Sequence, residues 1–588
     1  MKRIAVIDRD KCKAPDKCDY ICMKVCPIQK NNIEIFKILE DKKPAIDENY
    51  CIGCGLCVKK CPFSAIIIIN LTKEPEDHPI FQYGPNTFRL YRLPIIKEGY
   101  IIGIVGRNGV GKTTAINILT NLLKPNFGDY NKKWEEKEII KMFRGSELQK
   151  YFEKLYQNSI RISYKVQNIM FIKKAFSNIT VRDFLSKVLN KEKLVEVSKK
   201  FYIENILDRK IDELSGGELQ KIIFIYSAYK DHDVFFVDEV TNYLDIYERL
   251  RISQFLLELK EKKDTVIVID HDLLFLDSVS DLVHIVYGVP KAYGVFSYPI
   301  GVKDGINQYL DGFIKRENLK IRDKPIKLNI KPYTEYISGR EILSWENIKV
   351  KLGSFELYAE KGNIRENEII GIVGRNGIGK TTFFKVLSGE IKYDGKLNKN
   401  VSISYKPQYF DFSEYNIKVS EFLSKFNDNY KSQYNEYIVD LGIADLLDHE
   451  LATLSGGEAQ TVYTFAVLIK DADLYLLDEP FASLDIEQRL KVSKFIRDII
   501  KTKGKSCFII DHDLVFLDWV SDKVMTFLGE PGKYGKVYGP MGIKEGINLL
   551  LKEVGITIRR DEETNRPKIN KENSRLDIIQ KERGEYYS

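Results

Sequence analysis

The sequence predicts two α/β phosphate-loop domains in tandem behind a small α+β cysteine-rich domain, and three observations carry that prediction. Eight of the nine cysteines fall within the first 61 residues. The pattern G-x4-G-K-T occurs twice, at Gly106–Thr113 and Gly374–Thr381. Each copy follows a short apolar run (Ile101–Val105 and Ile369–Val373) that reads as a buried strand. One such match in a long chain can arise by chance, but two in matching strand–loop–helix contexts mark an internal repeat.

The second cysteine run, Cys51-Ile-Gly-Cys54-Gly-Leu-Cys57-Val-Lys-Lys-Cys61-Pro62, resembles the run with which bacterial-type ferredoxins hold a [4Fe–4S] cube. The first set, Cys12, Cys18, Cys22 and Cys26-Pro27, is looser. In two-cluster ferredoxins the fourth cysteine of each run binds the other cube. That resemblance groups Cys12, Cys18 and Cys22 with Cys61, and Cys51, Cys54 and Cys57 with Cys26, giving two clusters. The alternative is a pair of structural zinc sites, although zinc usually takes two separated C-x2-C knuckles. Cysteines clustered in this way point to metal binding in a reducing compartment rather than to disulfides. Cys507, inside an apolar run, is expected in the core.

In each phosphate loop, Gly106, Asn108, Gly109 and Gly111, and likewise Gly374, Asn376, Gly377 and Gly379, are expected to let backbone amides cradle phosphates at a helix start. Lys112 and Lys380 then reach the β/γ-phosphates, Thr113 and Thr381 hold Mg²⁺, and Thr114 and Thr382 follow on the first helical turn. Downstream, Leu214-Ser-Gly-Gly-Glu-Leu-Gln220 is matched by Leu454-Ser-Gly-Gly-Glu-Ala-Gln460. Apolar strands then end in Asp238-Glu239 and Asp478-Glu479, and later runs end in Asp270-His271 and Asp511-His512. An aspartate at a strand end can hold Mg²⁺ through water, and the adjacent glutamate can polarise an attacking water. A histidine at a neighbouring strand end can sense the γ-phosphate. The remaining histidines are expected at the surface or in packing.

The L-S-G-G-E element resembles the signature of ATP-binding cassette (ABC) ATPases. The resemblance implies two cassettes face to face, each ATP held between one phosphate loop and the opposite signature. Site one then joins Lys112, Thr113, Gln167, Asp238, Glu239 and His271 to Ser455 and Gly457. Site two joins Lys380, Thr381, Gln408, Asp478, Glu479 and His512 to Ser215 and Gly217. Gln167 and Gln408 match the family's Q-loop and are expected to contact Mg²⁺. The second copy keeps Asp478-Glu-Pro480, whereas the first reads Asp238-Glu-Val240. Loss of the rigid proline is expected to shift the aim of Glu239.

Spacing locates what the repeat does not share. The phosphate loops lie 268 residues apart (106 to 374), but the glutamines only 241 (167 to 408), so the first cassette holds 27 extra residues between them. These fall near Trp134–Phe152, where apolar positions suit two short helices broken at Arg144-Gly145-Ser146, with S-x-x-Q from Ser146 as a capping box. Such a basic–aromatic hairpin suits docking. Both cassettes also end in Gly/Tyr/Pro-rich segments, Tyr287–Asn307 and Leu528–Asn548, expected to form a hinge. Lys303, Lys315, Arg316, Arg322, Lys544, Arg559 and Arg560, in or just after them, are expected to give a basic surface for rRNA phosphate.

The bulk numbers agree with several soluble domains: 588 residues, 44% hydrophobic, 30% charged and a net charge of +7. No run approaches the ~20 apolar residues that span a bilayer. Asp8 and Asp10 interrupt the opening apolar run, so no signal-peptide core is expected and the expected location is cytoplasmic.

Taken over the whole chain, the cysteine domain, twin cassettes, single-copy insertion (Phe143-Arg-Gly-Ser-Glu-Leu-Gln) and paired end segments resemble the ABC subfamily E ribosome-recycling factors, or RNase L inhibitor family. One departure is the five residues between Cys12 and Cys18, where the family has four. The resemblance implies a ferredoxin-like iron–sulfur domain at 1–75, a first ABC domain at 76–290 with its insertion at about 131–157, hinge 1 at 291–335, a second ABC domain at 336–528 and hinge 2 at 529–588. It implies an ATPase that splits ribosomes together with release factor 1 or a Pelota-like factor, and that meets initiation factors on the small subunit. Its cofactors would be two [4Fe–4S] clusters, ATP/ADP and Mg²⁺. Tyr83 and Phe88 in the first copy, and Phe355 in the second, are the implied adenine-stacking residues. The rival reading is an ATP-gated electron carrier. A transporter ATPase subunit fits less well, given the fused cluster domain and the lack of apolar spans.

Overall fold

Strands apolar throughout need cover on both faces, which a parallel sheet flanked by helices provides. In the computed structural model, Ile101–Gly106 lies parallel between Thr265–Ile269 and Leu282–Val289, and the sheet continues through Val234–Asp238 to Ile162–Lys165. The second cassette repeats this. Ile369–Gly374 lies between Ser506–Ile510 and Lys523–Glu530, followed by Leu474–Asp478 and Ile403–Lys406. Among the described residues each sheet has nine strands, with the same order through the parallel part. Residues 3–588 are described, except 10, 31–32, 48–49, 71–77, 323, 327–338, 400, 409, 411 and 413–414. The expected boundaries at 75/76 and 335/336 lie outside the described residues.

The Gly/Tyr-rich ends differ from expectation. Tyr293–Phe296 and Tyr534–Met541 are strands of the cassette sheets, antiparallel to Leu282–Val289 and Lys523–Glu530, not parts of a hinge. The glycines explain why. A Cβ on Gly294 would lie 1.8 Å from Val110 O, and one on Gly535 2.0 Å from Ile378 O. The strand therefore runs directly against the phosphate loop, and only glycine fits. The segments between the halves begin instead with the helices Val302–Asp311 and Ile543–Val554.

Those segments are tied across the molecule. Arg566, 1% exposed, pairs with Asp277 of the first cassette at 3.3 Å and donates from Nε to Asn307 Oδ1 at 3.1 Å. Arg322 pairs with Glu487 of the second cassette at 2.7 Å, and Arg560 pairs with Asp518. Arg322 and Arg560 are thus committed inside the protein and do not form part of a phosphate-facing surface. Lys303, Lys315, Arg316 and Lys544 are exposed.

The insertion forms two helices, Glu136–Met142 and Glu147–Tyr156, broken where expected. Its capping differs: Ser146 Oγ donates to Phe143 O at 2.6 Å, and Gly145 N donates to the Gln149 side chain at 3.0 Å, so no capping box forms. Ile139, Phe143, Leu148, Phe152 and Leu155 pack into the first cassette's core. The aromatic side is structural, and Lys137, Lys141, Arg144, Lys150 and Lys154 face outward.

In the N-terminal domain, Arg3–Ile7 pairs antiparallel with Ile66–Asn70, and Phe36–Ile38 with Pro44–Ile46. Its small core mixes Ala5, Ile35, Phe36 and Ile46 with Cys22, Cys26 and Cys57. Asn86 fastens this domain to the first cassette: its Nδ2 donates to Ala5 O at 3.0 Å and Ile46 O at 2.9 Å. Cys507 is fully buried, as expected. Among the described residues no helix is long and apolar enough to cross a membrane.

Candidate functional site

The chemistry-bearing residues gather at the carboxyl ends of the parallel strands, where open α/β sheets form their crevices. Each phosphate loop opens a helix, Lys112–Leu119 or Lys380–Ser388, with Thr113-Thr114 and Thr381-Thr382 on its first turn. The preceding Gly111 (φ 91°) and Gly379 (φ 95°) cap these helices in the left-handed conformation. A Cβ there would fall 2.5 Å from the Phe88 ring and 2.8 Å from the Phe355 ring. Phe88 and Phe355 are therefore structural equivalents set against the loops, while exposed Tyr83 lies with its hydroxyl 3.2 Å from Thr114 Oγ1.

Lys112 Nζ donates to Gly106 O and Arg107 O, both at 2.8 Å, and Lys380 Nζ donates to Gly374 O and Arg375 O at the same distance. Thr113 Oγ1 lies 3.5 Å from Asp238 Oδ2, and Thr381 Oγ1 2.8 Å from Asp478 Oδ2. Burial, then the neighbouring glutamate, pushes the Asp238 and Asp478 carboxyls up to about 7. Carboxylates crowded in this way beside a threonine hydroxyl suit a small hard cation, whose charge would relieve them.

Glu239 and Glu479 both take the left-handed conformation, each with φ 48°. That costs a non-glycine residue roughly 1–2 kcal/mol. Gln167 Nε2 donates to Glu239 Oε1 at 2.8 Å, and Gln408 Nε2 to Glu479 Oε1 at 2.6 Å. The two glutamates are thus aimed alike, so Val240 in place of proline does not redirect the first. Thr241 N donates to Asp270 at 3.1 Å, as Phe481 N does to Asp511 at 3.3 Å, and only the Thr241 hydroxyl bond to Asp270 at 2.6 Å is particular to the first copy.

The surroundings are not identical. His271 Nε2 lies 3.0 Å from Asn108 Oδ1, 3.4 Å from Lys112 Nζ and 3.6 Å from Glu239 Oε1. Against the opposing effect of burial, His271, Lys112 and Gln167 hold Glu239 down at about 2. Asn242 Nδ2 adds a bond to Glu239 Oε2 at 2.9 Å. In the second cassette, burial raises Glu479 and, with Lys380, keeps His512 largely neutral. Among the other histidines, His284 is a core residue, its Nδ1 2.7 Å from Ser297 O.

The cassettes meet face to face. Ser215 and Ser455 cap the helices Gly216–Tyr229 and Gly456–Ile469. A Cβ on Gly217 would sit 3.2 Å from Asn376 Nδ2, and one on Gly457 3.9 Å from Asn108 Nδ2. Each signature therefore lies on the opposite phosphate loop, in the pairing expected for sites one and two. Asp245 and Asp485, which the motif reading missed, join the same face: Asn376 N donates to Asp245 Oδ2 at 2.7 Å and Asn108 N to Asp485 Oδ2 at 2.9 Å. Arg107 pairs with Glu487 at 3.1 Å, whereas Arg375 lies 4.5 Å over the Tyr247 ring. The overlooked signal is the repeat of Leu244-Asp245 as Leu484-Asp485, in step with the signature serines.

Two of the buried thiols have other cysteines as close neighbours. Burial pushes the Cys22 thiol up to about 12, and the neighbours whose charge adds to this are Cys18, Cys61 and Cys12. For Cys57, pushed up to about 11 by burial, they are Cys51, Cys54 and Cys26. Those last four line a cavity walled by Ile35 and Ile46. Among the described residues no three ligating side chains converge as a single ion requires. An apolar cradle with four thiols fits an iron–sulfur group.

Two composite nucleotide sites of this kind define a twin-cassette ATPase of the ABC type, joined here to an iron–sulfur domain. Residues 95–242 and 360–482 match the ABC transporter family, residues 44–67 the 4Fe-4S binding domain, and residues 3–34 the possible Fer4-like domain in RNase L inhibitor. The chain belongs to the RNase L inhibitor family, subfamily E of the ABC proteins. It is 45% identical to an ABC transporter ATP-binding protein of Methanocaldococcus jannaschii, covering 100% of this chain and 97% of that one. It is 40% identical to translation initiation factor RLI1 of Saccharomyces cerevisiae, covering 100% and 98%. Among solved structures, the chain from ribosome-bound archaeal Pelota and ABCE1 superposes with a TM-score of 0.94 at 44% identity, covering 100% and 99%. Archaeal ribosome recycling factor aABCE1, solved with the ribosomal stalk protein aP1, superposes at 0.79 with 45% identity, covering 87% and 99%.

Proposed function

We propose that this protein is a cytosolic, ATP-driven ribosome recycling factor. Acting with a release factor or a Pelota-like protein, it splits ribosomes after termination or stalling and stays on the small subunit until ATP is hydrolysed. The full-length likeness to ABCE1 from the ribosome-bound Pelota assembly carries this reading.

The residues supply a mechanism. Loop amides and Lys112 or Lys380 take the phosphates, while Tyr83, Phe88 and Phe355 flank the base. Thr113, Asp238 and Gln167, and Thr381, Asp478 and Gln408, would hold Mg²⁺, which neutralises phosphate charge when bound. Glu239 and Glu479 accept a proton from the attacking water, and His271 and His512 hold the γ-phosphate end. Ser455 with Gly457, and Ser215 with Gly217, complete each site from the other cassette. Each nucleotide therefore bridges the cassettes, and losing its γ-phosphate loosens them. The cysteines would hold two [4Fe–4S] clusters, with Cys12, Cys18, Cys22 and Cys61 on one and Cys51, Cys54, Cys57 and Cys26 on the other. With clusters bound, the domain would be a stiff lever, held to the first cassette by Asn86 and by Val6 against Ala292. The outward lysines and Arg144 of the insertion offer contacts to rRNA phosphate.

Co-sedimentation with small ribosomal subunits tests the proposal. Enrichment with a non-hydrolysable ATP analogue over nucleotide-free protein is expected, and equal recovery in both would reject it.

A further inference from the structure

Lys165 and Lys406 end the strands Ile162–Lys165 and Ile403–Lys406, and both side chains are wholly buried. An ammonium taken out of water is costly unless its hydrogen bonds are replaced. A lysine retained there in both cassettes, where an aliphatic residue would pack at less cost, points to a task. The partners are backbone carbonyls, and in both cassettes one of them belongs to the aspartate just before the glutamate. Lys165 Nζ donates to Asp238 O at 2.7 Å and Glu239 O at 3.1 Å. Lys406 Nζ donates to Asp478 O at 2.9 Å and Pro407 O at 3.2 Å.

A second donor reaches the same turn from the signature helix. Gln220 Nε2 donates to Glu239 O at 2.6 Å and Val240 O at 3.0 Å, and Gln460 Nε2 donates to Glu479 O. Both glutamates hold the left-handed conformation, φ 48°. That turn lifts their carbonyls out of the sheet ladder, where they need other donors. Two residues beyond each lysine, Gln167 and Gln408 grip the carboxylates of the same glutamates. One strand end thus holds the backbone of the residue and, two positions on, its side chain.

We propose that Lys165 with Gln220, and Lys406 with Gln460, are positioning residues that lock the backbone of Glu239 and Glu479 in the left-handed turn that aims their carboxylates. The inference rests on these glutamates being the catalytic bases. Gln220 and Ser215 share one helix, so the helix whose start faces the second nucleotide also holds Glu239 of the first.

The test compares steady-state ATP hydrolysis of the full-length protein with that of Lys165→Met, Lys406→Met. The expected result is a fall in kcat of about tenfold or more with KM for ATP within about twofold. A kcat within about twofold of the parent, or a KM that rises as kcat falls, overturns the proposal. Should the methionine pair not purify as folded protein, Gln220→Met, Gln460→Met removes the other donor and carries the test with the same outcomes. Glu239→Gln, Glu479→Gln is measured alongside. If it leaves turnover intact, the assignment of the bases fails. If it abolishes turnover while the lysine variants do not affect kcat, only the positioning claim fails.

Discussion

The backbone amide of Asn108, inside the first phosphate loop, donates to the Asp485 carboxylate of the second cassette at 2.9 Å, and Asn376 makes the equivalent bond to Asp245 at 2.7 Å. Each phosphate loop is therefore shaped partly by the other cassette. Charge-assisted bonds of this kind are worth roughly 1.5–3 kcal/mol. Asp485→Ala is expected to lower nucleotide occlusion at site one about tenfold or more, read as retained labelled ATP after rapid dilution. Asp245→Ala should do the same at site two. Unchanged retention in both would show that the cassettes close without these bonds.

The two sites differ in how tightly the glutamate is held. Glu239 accepts from Gln167 and Asn242, whereas Glu479 accepts from Gln408, with Ala482 at the position equivalent to Asn242. A carboxylate with an extra donor is a weaker base. In a Glu479→Gln background, where site one alone turns over, Asn242→Ala is expected to raise kcat about fivefold, the equivalent of one ordinary hydrogen bond. A fall in kcat would mean that Asn242 aims Glu239 rather than restraining it.

Much of this architecture is legible in the sequence because the motifs are repeated. Two phosphate loops and two signatures at matched spacing lead to the cassette fold, the site partners and the 27-residue insertion. Less legible is anything set by close approach. Gly294 and Gly535 read as hinge residues until Val110 O and Ile378 O are seen where a Cβ would stand. Arg322 and Arg560 read as free surface charge because their partners, Glu487 and Asp518, are distant in sequence or unmarked by any motif. The capping pattern at Ser146 was a local signal overridden by Gln149, which reaches the amide of Gly145 instead.

The cysteine grouping gives a test independent of ribosomes. Cys61 lies with Cys12, Cys18 and Cys22, although the chain places it in the run with Cys51, Cys54 and Cys57. Cys61→Ser is expected to lose about half of the bound iron and sulfide. Adding Cys18→Ser should cost no more, whereas adding Cys54→Ser should remove the rest. If Cys61→Ser with Cys54→Ser retains as much iron as Cys61→Ser alone, the runs are not cross-ligated. Iron and acid-labile sulfide analysis of anaerobically purified protein reads this directly.

Beside the packing of Val6 against Ala292, Asn86 supplies hydrogen bonds that attach the N-terminal domain. It is buried, left-handed at φ 54°, and reaches the backbone of two strands, Arg3–Ile7 through Ala5 O and Pro44–Ile46 through Ile46 O. Its own carbonyl accepts from Ile7 N at 2.8 Å. Asn86→Ala leaves those buried carbonyls without this donor, at a cost of about 3 kcal/mol. The cost falls on docking and not on either cassette's core, so the first sign should be local opening. Amide exchange at Ile46, which donates to Asn86 Oδ1, is expected to quicken about a hundredfold. Exchange in the buried strand Ile369–Gly374 of the second cassette should stay unchanged. If the domain is a lever, ribosome splitting by this variant should fall well below its retained ATP turnover. Splitting that tracks turnover would mean that the force reaches the ribosome by another route.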